Sequence, residues 1–120
     1  MNPSKPAPSG SHLRVLDSAY SLISSLVPVV AAIGKHDRSL KDQLRRAATS
    51  IPLNLAEGWG LQGGNQKTRF VTALGSAREV GAILEVARRW RYVPEAQLSA
   101  SGTMLDQVTA QTYRLVNPRR

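Results

Sequence analysis

A chain of 120 residues, 42% of them hydrophobic, suits one globular domain and is too short for two. Sixteen Lys and Arg oppose eight Asp and Glu, so the net charge is +8, which favours acidic partners: nucleic acid first, anionic protein or membrane surfaces second. No cysteine is present, which removes disulfides, thiolate catalysis and zinc–thiolate sites and suits a reducing cytoplasm.

Residues 1–11 carry Pro3, Pro6 and Pro8 among Ser, Gly and Lys, too little apolar surface to offset the entropy of ordering. A disordered arm is expected there, and no apolar run follows its lysine as a secretory leader requires. The tail 117–120 reads the same way, which leaves a folded unit over 12–116. Its first helix is marked by Leu13, Leu16, Tyr20, Ile23, Val27 and Val30, which step by three and four and so define one apolar stripe. Pro28 lies within it. Because the stripe continues past the proline, a bent helix is expected rather than an ended one. The most apolar stretch, 22–33, includes Ser24, Ser25 and Pro28 and follows Asp17. It falls short of the about 20 apolar residues that cross a bilayer, so no membrane partner is expected. Residues 34–38 form the turn.

A second helix is predicted from Ser39, where Ser39 and Asp42 have capping-box spacing with Asp in place of Glu. Leu40, Leu44, Ala47, Ile51 and Leu55 form its buried stripe, Pro52 should kink it, and Gly58, Gly60, Gly63 and Gly64 end it. A third helix is predicted over 65–92, with Phe70, Leu74, Ala77, Gly81 and Leu84 on one face and Ala73, Val80 and Ala87 beside them. Pro94 and Glu95 suit the first turn of a fourth, whose stripe is Leu98, Leu105, Val108 and Leu115, weakened by Gly102. No segment alternates with the period of a strand. Four helices on short links predict an all-α, antiparallel, up-down-up-down four-helix bundle.

Sites of chemistry are sparse. Gly58, Gly60 and Gly63 match the dinucleotide fingerprint in letters, but a helix and not a strand precedes them. The stretch from Gly60 to Thr68 fails as a P-loop, since Gln66 stands where the motif needs glycine. His12 and His36 belong to no metal spacing, and no nucleophile–base or paired-carboxylate arrangement can be nominated. No enzyme, catalytic residue, metal or cofactor is therefore expected. The amides of Gly63 to Asn65 open the third helix, where Lys67 and Arg69 oppose the helix dipole. Cations so placed suit a phosphate partner as readily as simple solvation.

One polar constellation stands out. Arg46, Ser50, Asn54 and Glu57 recur at i, i+4, i+8 and i+11 on one face, with Ser76 and Glu79 on the third helix. A half-buried network of Arg46 with Glu57 or Glu79 is expected, fixing helix register or a subunit contact in preference to binding a ligand. The basic surface falls into Arg38, Lys41 and Arg45 on one row and Arg88, Arg89 and Arg91 at the end of the third helix. With Lys67 and Arg69 these are the candidate nucleic-acid-binding residues. Arg88 and Arg89 can each reach Glu85. Trp59, Trp90 and Tyr92 flank the two ends of the central hairpin, where they can stack on bases, although packing at a helix end or subunit interface is commoner.

The segment QLRRAATSIPLNLAEG, from Gln43 to Gly58, resembles the signature of the bacterial four helix bundle protein family, also called the 23S rRNA intervening-sequence or S23-like family. That family includes the accessory variability determinant (Avd) of diversity-generating retroelements. The segment ALGSARE, from Ala73 to Glu79, resembles its second signature, and the resemblance spans roughly 13–116. It implies an antiparallel four-helix bundle assembled as a ring-like homopentamer, a basic surface suited to RNA or DNA and, in the retroelement branch, a complex with a reverse transcriptase. By position Arg46, Ser50, Asn54, Glu57, Gly58, Ser76 and Glu79 are the family's motif residues, with mainly structural roles. The glycine-rich turn is longer than the family's usual connection, the first linkage is also longer, and Pro28 is a further departure. The expected function is that of a cytoplasmic, non-enzymatic nucleic-acid-binding accessory protein. The alternative is a protein-interaction scaffold for a reverse transcriptase or other effector.

Overall fold

The computed structural model describes residues 10–118, with side chains from 14 onward. The rest of the expected arm and the last two residues of the tail lie outside the described residues. Four helices follow in order: α1 (Gly10–Gly34), α2 (Arg38–Trp59), α3 (Gly63–Arg89) and α4 (Glu95–Val116), with no strand among the described residues. α1 packs on α2 and α4, and α3 packs on the same two. The links 35–37, 60–62 and 90–94 are too short for anything but antiparallel neighbours, so the bundle is the expected up-down-up-down square.

α1 starts at Gly10, inside the expected arm, and runs unbroken through Pro28. Its buried row is Val15, Ala19, Leu22, Leu26, Val29 and Ile33. This corrects the predicted stripe: Tyr20 is 54% and Val27 65% exposed, and Leu16, Ile23 and Val30 are only half-buried. Both rows step by three and four, and the approach of α2 and α4 covers the one set a residue earlier in the chain. Continuity through Pro28 also makes the stretch Arg14–Gly34, 21 residues of hydropathy 1.6, long and apolar enough by length and composition to cross a bilayer. In the bundle its inner row is a wall of the core.

α2 is capped by Asp37 and not by Ser39. Asp37 has extended backbone, and its carboxylate accepts from the Leu40 amide at 2.9 Å, which satisfies one of the orphan donors of the first turn. Leu44, Ala47, Ile51 and Leu55 are buried as expected, and α2 continues through Pro52. The glycine-rich turn is shorter than its letters suggest. Gly58 lies inside α2, Gly60 caps it, and Gly63, with φ 59, opens α3. A Cβ on Gly58 would lie 2.7 Å from Phe70 Cε1, so the bare backbone is what lets α3 close on α2. The Gln66 amide fastens the turn by donating to the carbonyls of Gly58 at 3.2 Å and Leu61 at 3.0 Å.

α3 buries Phe70, Ala73, Leu74, Ala77, Val80, Ile83, Leu84 and Ala87 and stops at Arg89, earlier than predicted. α4 holds despite Gly102. Leu98, Leu105 and Val108 are buried, Leu115 is half-buried, and Ser101 and Thr112 fill interior positions that an apolar pattern skips. Ser101 is fully buried. It donates to the Ser25 carbonyl at 3.1 Å, while the Ser25 hydroxyl donates to the Leu22 carbonyl at 2.7 Å and lies 3.2 Å from Ser101 Oγ. Two polar side chains thus clasp α1 to α4 without an unmet donor.

Candidate nucleic-acid interface

The polar constellation divides in two. Ser50 Oγ and Ser76 Oγ share a hydrogen bond of 2.8 Å between α2 and α3, and the Asn54 amide donates to the Ser50 carbonyl at 2.9 Å and to its hydroxyl at 3.0 Å. Two turns along α2 and two turns back along α3, Arg69 Nη2 meets Glu57 Oε1 at 3.1 Å. These contacts hold the two helices in one antiparallel register. Arg46 and Glu79 stay outside this seam: both are exposed, and neither forms a salt bridge among the described residues. The expected Arg46–Glu57 pairing fails on geometry. Eleven residues of helix separate the two by about 16 Å along the axis, so sharing a face does not bring them within reach. Instead Arg46 lines an open groove of about 530 Å³ with Asp42, Arg45, Thr49, Ser50, Leu53 and Asn54.

Three of the eight candidate cations are paired internally. Arg69 is held by Glu57, Arg88 by Glu85 at 3.3 Å and by Glu95, and Arg89 by Glu85 at 2.7 Å. The Arg89 hydrogen bond, with the charges of Arg89 and Arg88, holds the Glu85 carboxyl below its ordinary value against a smaller opposing effect of desolvation. Arg38, Lys41, Arg45, Lys67 and Arg91 form no salt bridge among the described residues. The Lys41 stem lies over Gly34, where a Cβ would meet its Cδ at 2.8 Å. Arg45 borders a second groove, about 300 Å³, between α1 and α2, with Ile23, Leu26, Val27, Val30, Ala48 and Thr49. At the start of α3, Lys67 is exposed while Arg69 is turned to Glu57, so only one of the two cations remains for an anion there.

The other cations gather where the links 35–37 and 90–94 meet. His36 stacks on Tyr92 with centroids 4.7 Å apart and planes within 4°, and Tyr92 stacks on Trp90 at 6.4 Å and 16°. Arg38, Arg88, Arg89 and Arg91 lie within two residues of these rings in the chain. In the sequence His36 belongs to no metal spacing and lies within the turn 34–38. No spacing rule signals its contact, because its partner lies on a different link. At the opposite end Trp59 is half-buried and stacks on no ring among the described residues.

Among solved structures the chain is similar to a protein with unknown function from the S23 ribosomal protein family of Bacteroides thetaiotaomicron VPI-5482. The TM-score is 0.77 at 19% identity, over 86% of this chain and 98% of that one, a likeness of fold. No curated protein matches the chain. The model of the 23S rRNA-intervening sequence protein family matches residues 11–114, which takes in both signature segments and the Ser50–Ser76 contact that joins them. The chain therefore belongs to the 23S rRNA-intervening sequence protein family.

Proposed function

We propose that this chain is a non-enzymatic, cytoplasmic accessory protein that binds RNA or DNA as a homopentamer. The supporting observation is that five candidate cations, Arg38, Lys41, Arg45, Lys67 and Arg91, lack carboxylate partners among the described residues of a chain with net charge +8. Unpaired surface cations attract phosphates, and binding of that kind weakens steeply as salt displaces it. Self-assembly draws support from the outer apolar row of α1, where Tyr20 and Val27 are exposed, and from exposed Leu53 on α2. Arg46 and Glu79, opposite charges with no salt bridge among the described residues, suit a contact between copies.

Fluorescence anisotropy with labelled structured RNA and duplex DNA at two salt concentrations tests the binding. Affinity should fall sharply with salt, and absence of binding to either probe at low salt would remove the reading. Sedimentation should give about five times 13.0 kDa. A strict monomer at high concentration would remove the pentamer. The double change Arg45→Glu, Arg46→Glu separates roles: lost binding with intact assembly marks an electrostatic site, whereas lost assembly marks a structural face.

The outer apolar row also favours a second reading, a scaffold for a protein partner such as a reverse transcriptase. That reading expects a specific partner held at high salt, with nucleic-acid binding only incidental.

A further inference from the structure

We propose that the His36–Tyr92–Trp90 ladder is a stacking platform for an unpaired nucleobase, so that this end of the bundle takes single-stranded nucleic acid in preference to duplex. The inference rests on the nucleic-acid reading and adds to it the form of the ligand and the place where it sits. Three rings from two links lie nearly parallel. The last of them, Trp90, is 68% exposed, more than any other large hydrophobic side chain among the described residues. An indole paired with a single ring and still 68% exposed leaves apolar ring surface in water that a further ring can cover. Every nucleobase has such a π-face, but in a duplex those faces are already stacked on one another.

The backbone beside the ladder points the same way. The Tyr92 amide bonds the Ala87 carbonyl and the Arg91 amide bonds that of Arg88, both at 3.0 Å, which is the Schellman pattern that closes a helix. Glycine normally occupies the left-handed position of this motif. Here it is Arg91, with φ 60, the only non-glycine residue with positive φ among the described residues. An arginine in a conformation disfavoured for any residue with a Cβ sets, between Trp90 and Tyr92 in the chain, a guanidinium that forms no salt bridge among the described residues. Lys35 precedes His36, Arg38 follows it by two residues, and neither forms a salt bridge among the described residues. Rings to hold a base and cations to hold its neighbouring phosphates are the two components of a single-strand site.

The chain has two tryptophans, so Trp59→Phe leaves Trp90 as the sole reporter. Its emission should be quenched by oligouridine and by oligothymidine, and far less by a blunt duplex of the same length. Comparing the two single strands shows whether the sugar matters. Trp90→Ala should weaken single-strand binding about tenfold, the scale of one base–aromatic stack, while Trp90→Phe keeps most of the affinity. Should Trp59→Phe not fold, anisotropy with Trp90→Ala in the native background gives the same answer. Arg91→Gly should raise the melting temperature by relieving the backbone yet weaken binding several-fold, a combination that a purely structural role would not produce. If Trp90→Ala leaves single-strand affinity unchanged while Arg45→Glu, Arg46→Glu abolishes binding, the platform is wrong and the nucleic-acid reading survives. Failure of every probe to bind at low salt removes both. Trp90 emission that changes with protein concentration and ignores oligonucleotide assigns the ladder to contact between copies and overturns the proposal.

Discussion

Along α1, the row of Val15, Ala19, Leu22, Leu26, Val29 and Ile33 lies in the core, whereas Tyr20 and Val27 on the adjacent row stand in water and Leu16, Ile23 and Val30 lie between the two environments. The spacing of the two rows is the same and their chemistry is nearly the same. A three-and-four repeat establishes that a helix has an apolar side to cover, but the neighbouring helices choose which side they cover. Only one row can face the centre of a four-helix square, so the second is left as apolar surface on a basic protein. Contiguous surface of that kind is where soluble proteins meet partners.

Substitution on the two rows should break the likeness most sharply. Leu22→Ala removes a fully buried side chain and should cost about 2–5 kcal/mol, whereas Val27→Ala should change the stability of the dilute protein by less than about 0.5 kcal/mol. Urea denaturation at low protein concentration measures both, and equal losses would show that the rows are not distinct. Val27→Ala should act instead on assembly, shifting the sedimenting mass at high concentration. Ser101→Ala sharpens the comparison at the polar clasp beside the inner row. It removes the donor to the Ser25 carbonyl and should cost about 1 kcal/mol in the same assay, and no loss would mean that water replaces the bond. The smallest effect is expected farthest from α1. Glu85 has a lower carboxyl pKa in the folded chain than in the unfolded one, chiefly through Arg89. Its pairing therefore stabilises the fold at neutral pH and loses that contribution as pH falls through the carboxylate range toward the lowered folded value. An NMR titration should place Glu85 below ordinary glutamates, and Arg89→Gln should bring it back toward them. An unshifted wild-type Glu85 would show that the pair does not persist in solution.

Much of the candidate site was legible where it is local. Arg88 and Arg89 pair with Glu85 at the i,i+3 and i,i+4 distances that the sequence displays. Arg46 and Glu57 share a face without sharing a contact, because about three turns of helix separate them. Glu57 is instead satisfied from α3 by Arg69, one turn before the region that the signature marks. Asp37 displaced Ser39 as the cap of α2 because the last turn of α1 draws the chain tight. The amides of His36 and Asp37 bond to the Ile33 carbonyl at 2.9 and 2.8 Å, and Asp37 is thereby the residue in extended backbone when α2 begins.

Helix count, order and the inward faces of α2 and α3 follow from the chain alone. They depend on backbone hydrogen bonds and side-chain neighbours within four residues, which exist wherever the helix does. The inward row of α1, the Ser50–Ser76 and Ser25–Ser101 contacts and the ring ladder across two links were decided only when the helices met. Each is an interaction between segments far apart in sequence, whose partners no local period encodes.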